Sequence, residues 1–345
     1  MVRRHIINAA DAVIPEALEG LALAHPDLVH YNAEYGFIRR ARRARDKVGL
    51  VSGGGSGHEP LHTGFVGVGM LDVAVAGAVF ASPTALQVHE GTLAADSGRG
   101  VLQIVKNYTG DVLNFTIAGE LAGDREVETE MVLVDDDLAT DAGSAASGSH
   151  VADTTDADGP GRRGTAATVV VEKAAGARAE QGGTLREVTT VARRVARHSR
   201  TMSLALAAGT HPGADRPQFD LGSDEIELGV GIHGERGVAR AAFAPADELA
   251  ASLVEPLVAD LGLRRGAGVL AVINGLGGET PIELSIVARA VHLILAGLGI
   301  TVRRNLVGDY VTSLDMHGFS VTLTPADDDL IALWDAPVRT PALTW

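Results

Sequence analysis

The chain has 345 residues, 46 per cent hydrophobic and 21 per cent charged, the balance of an ordinary globular protein. At about 100–200 residues per domain, that length suggests two domains. The net charge of −15 argues against nucleic acid and anionic membrane surfaces as partners, and the absence of cysteine excludes disulfides, thiolate metal sites and cysteine nucleophiles.

No apolar run reaches the ~18 residues of a membrane span, and residues 1–5 are followed by no secretory apolar region, so a cytoplasmic protein is expected. The first 30 residues read as a helix, with Val13, Ile14, Leu18, Leu21 and Leu23 near helical spacing and Pro26 closing it. A basic run from Arg39 to Lys47 follows; without interleaved aromatic residues it reads as a solvated connector rather than an anion-binding patch. The valine-rich segments Val48–Val51, Val73–Phe80, Val101–Val105 and Met131–Val134 read as buried strands. With the helical candidates Pro83–Ala95 and Asp111–Leu121 between them, they predict a parallel α/β sheet. Asp135 to Gly164 breaks the pattern, with seven aspartates between Asp135 and Asp158 and no Lys or Arg in that span. It reads as a flexible acidic insertion centred on about 138–160, and its aspartates match no EF-hand spacing.

A long helical region is expected from Ala166 to Arg200. A second α/β set follows, with strands at Ser203–Ala207, Glu227–Ile232, Gly268–Ile273, Thr301–Val307 and Phe319–Leu323 and helices at Pro245–Leu261 and Pro281–Leu298. The fold class predicted is therefore two α/β domains with mostly parallel sheets, 1–190 and 191–345.

Three loops could carry chemistry. Ser52–Pro60 holds four glycines within five residues directly after a strand, letting backbone N–H groups approach a ligand closely, and it carries His58, an imidazole suited to proton work. It lacks the lysine of a P-loop and the third glycine of the dinucleotide fingerprint. Lys106 and Asp111 lie at the end of another apolar strand; Asp111 could act as a base or only cap the next helix. His233 sits among glycines in Gly229–Glu235, which offers little packing to bury it. His58, His62 and His233 follow no known metal-ligand spacing.

Taken together, the motifs Ser52–Pro60, Lys106–Phe115, Gly161–Gly164, Gly229–Glu235, Arg304–Gly308, Thr312–Met316, Gly318–Ser320 and Asp335–Trp345 closely resemble the dihydroxyacetone-binding subunit of dihydroxyacetone kinases (the DhaK family), over nearly the whole chain. The resemblance implies two α/β domains in a homodimer. It implies covalent capture of the ketone by His233 as a hemiaminal. His58 and Asp111 then act as catalytic groups on the substrate hydroxyls, assisted by Gly55, Ser56, Gly57 and Lys106. It further implies no cofactor or metal in this chain. The phosphoryl donor, Mg-ADP recharged through phosphotransferase proteins or exchangeable Mg-ATP, would sit on a nucleotide-binding DhaL-type partner subunit.

The chain departs from the family pattern at Ala78 and at Leu86 or Gln87, where acidic residues are usual, and at Arg236, where proline often follows. These departures leave the substrate open among short ketoses such as dihydroxyacetone and erythrulose. A non-catalytic dihydroxyacetone sensor or coactivator is a further alternative, against which the retained His58 and Asp111 argue.

Overall fold

The computed structural model describes residues 5–140 and 161–345, so most of the acidic insertion lies outside the described residues. Among them, two compact units emerge. The first comprises 5–134, 168–196 and 332–345; the second comprises 135–140, 161–167 and 197–331. Instead of passing once from one unit to the other near residue 190, the chain enters the second unit at 135, returns to the first at 168, leaves again at 197 and comes back at 332.

In the first unit, α1 (Val13–Ala24) precedes a hairpin of β1 (Val29–Asn32) and β2 (Phe37–Arg40). Then come β3 (Gly49–Ser56), β4 (Val73–Val79), α2 (Ala85–Ala95), β5 (Val101–Lys106), α3 (Thr109–Gly123) and β6 (Thr129–Val134). The sheet order is β1-β2-β4-β3-β5-β6, with β4, β3, β5 and β6 parallel and the hairpin antiparallel. Valines 51, 73, 75, 101 and 105 pack against Val88 of α2 and Phe115 and Ala118 of α3. The parallel strands are thus buried on both faces, which is why they read as continuous apolar runs.

The basic run departs in part from its expected role as a solvated connector: Arg42, Arg43 and Arg45 are exposed between strands, but its ends are not. Arg39 and Arg40 are strand residues, and Arg40 and Lys47 are buried. Arg40 Nε lies 2.9 Å and Lys47 Nζ 2.6 Å from the Asp72 carboxylate, and Arg40 also reaches Glu180 at 2.7 Å. Carboxylates remote in sequence neutralise these cations, which no local pattern could show.

The single helix expected over 166–200 is two, α4 (Ala167–Glu180) and α5 (Leu185–Arg197). Gly182, at φ +77°, ends the first, and Thr184 and Glu187 cap the second reciprocally. α4 is buried on every side from Ala167 to Ala177, as its small, apolar composition dictates.

The second unit holds β7 (Arg200–Ala207), β8 (Glu225–Leu228), β9 (Ala239–Ala242), α6 (Ala246–Asp260), β10 (Gly268–Gly275), α7 (Pro281–Gly297), β11 (Thr301–Gly308) and β12 (His317–Pro325). A last helix, α8 (Asp328–Asp335), leads into the C-terminal tail. The sheet order is β11-β10-β12-β7-β8-β9; β10 and β11 are parallel across the α7 crossover, and the other pairings are antiparallel. Leu249, Leu253 and Leu257 of α6 and Leu284, Val287, Val291 and Leu295 of α7 close its core against Leu204, Val269, Ile273 and Val321. The strand expected at 227–232 ends at Leu228, because Gly229 turns to φ +70°.

Candidate functional site

Adjacent parallel strands β4, β3 and β5 end along one edge of the first sheet, where open α/β sheets bind ligands. The loops leaving those ends carry Ser82, His58 and His62, and Asn107 and Tyr108, and the first turn of α3 carries Asp111.

β3 is buried at all eight positions. A Cβ on Gly53 would lie 2.4 Å from the Val75 carbonyl oxygen, and one on Gly55 2.7 Å from the backbone around Phe80 and Ala81. A Cβ on Gly54, whose φ is +154°, would lie 2.4 Å from Lys106 Nζ and 3.3 Å from Asp111 Oδ2. The glycines let the loop lie directly on the lysine–aspartate pair. Ser56 donates its hydroxyl to the Gly77 carbonyl at 2.8 Å, and the Gly57 N–H donates to the Glu59 carboxylate at 3.0 Å. His58 is fully buried, its ring stacked on Phe80 with centroids 5.3 Å apart.

Lys106 is fully buried at the end of β5, with Nζ 3.9 Å from Asp111 Oδ2. Tyr108 occupies the N-cap position of α3, without a side-chain cap bond, and Asp111 lies in the first turn, so Asp111 is not the cap. Burial raises the Asp111 carboxyl, while the Lys106 ammonium and a hydrogen bond from Ser82 pull it down. Burial lowers Lys106, opposed by Asp111 and Glu172. Each charge is therefore costly alone and supported by the other.

Two further residues join this cluster. His62, weighed from the sequence only as a metal ligand, places Nε2 2.9 Å from Lys106 Nζ and Nδ1 2.7 Å from Glu172 Oε1. Ser52 Oγ lies 3.0 Å from the same Nδ1 and donates to the Ile104 carbonyl at 2.6 Å. Both ring nitrogens of His62 are thus engaged. Among the described residues no three His, Asp or Glu side chains are grouped to hold a metal ion. Glu172, fully buried in α4, had no reading from the sequence; a charged pair, Glu172 and Lys173, inside an otherwise apolar helix is the signal that could have exposed it.

His233 belongs to the second unit. Its loop is held by Arg163, which donates from Nη2 to the Gly229 carbonyl at 2.9 Å, from Nη1 to Glu235 at 2.9 Å, and from Nε to Asp137 at 2.7 Å. Glu235 in turn accepts the His233 backbone N–H at 2.9 Å. The arginine of the Gly161–Gly164 motif thereby ties both ends of the loop, leaving the half-buried imidazole at its centre. Asp137 is not part of a solvated acidic run; it is buried, as is Asp136, which accepts from Thr165 N at 2.6 Å and Ala167 N at 3.0 Å.

The Dak1 domain family pattern matches residues 19–342. The chain is 44% identical over 326 residues to the PTS-dependent dihydroxyacetone kinase 1, dihydroxyacetone-binding subunit DhaK, of Listeria innocua serovar 6a, covering 94% of this chain and 95% of the relative. It is 39% identical over 366 residues to the PEP-dependent dihydroxyacetone kinase, dihydroxyacetone-binding subunit DhaK, of Escherichia coli, covering 99% of each. Among solved structures, it is similar to the dihydroxyacetone kinase operon co-activator DhaQ at a TM-score of 0.88 and 31% identity, covering 95% of this chain and 98% of that one. It is also similar to the dihydroxyacetone kinase of C. freundii at 0.84 and 32%, covering 99% of this chain and 60% of that one.

Proposed function

The chain belongs to the Dak1 domain family, and from that membership we propose that it is the dihydroxyacetone-binding subunit of a dihydroxyacetone kinase, a phosphotransferase acting on an alcohol group. The observation that carries the kinase reading is Asp111 paired with buried Lys106 beneath the glycine loop. Capture of a ketone needs only a nucleophile; a carboxylate base held beside an ammonium is useful where a hydroxyl must lose its proton.

In this reading a lone pair of the neutral His233 imidazole attacks the ketone carbon. An N–C bond forms and the carbonyl π bond breaks; the oxygen takes a proton from water while the alkylated ring gives up its remaining N–H proton, leaving the neutral hemiaminal. Covalent capture fixes a triose too small to be held well by surface contacts, and it excludes glycerol, which has no carbonyl. His58 orients the terminal hydroxyl, Gly55, Ser56 and Gly57 shape the loop around it, and Lys106 supports the negative charge of Asp111. As the hydroxyl oxygen takes the phosphoryl group, Asp111 accepts its proton.

The phosphoryl group would come from Mg-ATP on a DhaL-type partner subunit, either exchangeable or regenerated from a bound Mg-ADP through phosphotransferase proteins, with ADP as the leaving group; transfer itself rests mainly on positioning and charge neutralisation. The Listeria and E. coli relatives are PTS- and PEP-dependent by name, which supports a phosphotransferase-fed donor. A homodimer in the cytoplasm completes the proposal. Erythrulose is the alternative substrate.

The likeness to an operon co-activator favours one second reading, a dihydroxyacetone sensor. Intact mass under native ionisation, followed by turnover with a nucleotide-bearing subunit supplied with Mg-ATP and, separately, with phosphoenolpyruvate and phosphotransferase proteins, separates the two. Wild type should gain the mass of one dihydroxyacetone and His233→Ala should not; an equal gain on both would remove the capture step. Asp111→Asn should keep the adduct and lose about 10²–10⁴-fold in turnover. An adduct on a wild type that never turns over would instead favour the sensor.

A further inference from the structure

The reaction as proposed uses Lys106 and Asp111 but leaves two buried titratable groups beside them without a task. Glu172, His62 and Lys106 form a continuous line, 2.7 Å from carboxylate to Nδ1 and 2.9 Å from Nε2 to ammonium, with Asp111 3.9 Å beyond. All four lie in the first unit, none more than 4 % exposed. Four ionisable side chains buried in a row are costly to assemble, and a carboxyl added to α4 for packing alone would be replaced by an apolar residue without loss.

The chemistry of the line is directional. A lysine ammonium has only donors, so Nε2 of His62 must offer its lone pair; Nδ1 then carries the hydrogen and donates it to Glu172. Burial, Lys106 and His58 all hold the imidazole well below its usual range, consistent with a neutral ring. Burial pushes the Glu172 carboxyl well above its usual range, while Lys106 and Ser52 work in the opposite direction and favour the anion. With Glu172 anionic, the lysine has a carboxylate at each end of its surroundings, one direct and one through the imidazole.

Resting on the kinase reading above, we propose that Glu172 and His62 are positioning residues for phosphoryl transfer: through the His62 ring, Glu172 holds the Lys106 ammonium in place and charged, so that Asp111 stays ionised to receive the hydroxyl proton. The groups facing Lys106 are Asp111 from α3, Glu172 from α4 and His62 from the loop after β3, with His58 beside His62. Glu172 supports the protonated lysine, so removing its charge lets Lys106 lose its proton at a lower pH.

The test is Glu172→Gln in the full chain, measured for native-mass adduct with dihydroxyacetone and for kcat against pH with a nucleotide-bearing subunit and Mg-ATP. The adduct should remain at the wild-type level, kcat should fall with little change in KM, and the alkaline limb of kcat should move about one unit or more toward neutral pH. Glu172→Asp, which keeps the charge, should return the limb toward its wild-type position. His62→Gln should shift it as Glu172→Gln does, and stands in if the latter fails to fold. An unmoved limb in folded Glu172→Gln, or equal losses in the Gln and Asp variants without a shift, would overturn the proposal and leave a packing role. A wild type without adduct or turnover would overturn the kinase reading first, and this inference with it.

Discussion

At the scale of single residues, the site depends on side chains that are absent as much as on those present. Gly54 sits at φ +154° with Lys106 Nζ 2.4 Å from where a Cβ would be. A methyl there meets both an unfavourable backbone region and the buried ammonium, which must shift to admit it. Gly54→Ala should therefore destabilise the protein by about 1–3 kcal/mol in denaturant unfolding. It should also reduce turnover while leaving the His233 adduct, because the displaced group belongs to the first unit. Turnover at the wild-type level would show that the Lys106 position is not needed. His58, Lys106, Asp111 and His233 stand out in the sequence as candidates because each lies in or beside a glycine-rich or polar loop at a strand end. His62 and Glu172 do not, because their meaning is relational: each becomes intelligible only when its partner, 110 residues away, is known. Ser82, which donates to Asp111, was hidden for the same reason.

Elements were legible where a pattern is local. The valine runs of β3 to β6 and the apolar periodicity of α6 and α7 predict what forms. The short strands β1, β2 and β9 were missed, being four residues each; β2 and β9 also carry arginines, of which Arg40 and Arg240 pair with carboxylates outside their own strands. The largest misreading concerns Asp136 and Asp137, which look solvated and are instead buried, Asp137 on the arginine that holds the His233 loop. Asp137 shows the consequence: burial raises its carboxyl to about 6, although Arg163 works in the opposite direction. A carboxyl raised in the folded state binds its proton more readily there than in the unfolded chain, so stability falls as pH rises from the unfolded value near 3.8 through about 6. Asp137→Asn removes this titration. The difference in unfolding free energy, variant minus wild type, should therefore increase with pH between about 4 and 6.5, toward a change of about 3 kcal/mol. A difference that stays flat across that window would show that Asp137 does not titrate there. At neutral pH the same variant leaves Arg163 with one anchor fewer, and slower adduct formation on His233 is expected.

At the scale of the whole molecule, two α/β units were legible from length and from the two runs of alternating elements, but their shared threading was not. Nothing local marks 168 or 332 as a return to the first unit, because each crossing lies in or beside an ordinary helix rather than a polar linker. The tail makes the point testable. Trp345 donates its indole N–H to the Trp334 carbonyl at 3.1 Å, and the two rings lie 5.5 Å apart. Lys173 of α4 lies 5.7 Å from the Trp345 ring and donates to the Leu333 carbonyl at 2.7 Å. Backbone bonds of 2.9 Å from Arg339 to Val68 and from Ala342 to Gly64 fasten the tail to the segment that follows His62. Trp345→Ala removes the aromatic pair and the cation–π contact, worth about 1–2 kcal/mol together. The resulting loosening should be confined to what the tail covers: amide exchange should quicken across 61–69 and remain unchanged across β10, 268–275. Exchange quickening in β10 instead would assign the tail to the second unit, as a single boundary near 190 requires. Because 61–69 contains His62, which contacts Lys106, the same variant should lower turnover more than it lowers capture on His233.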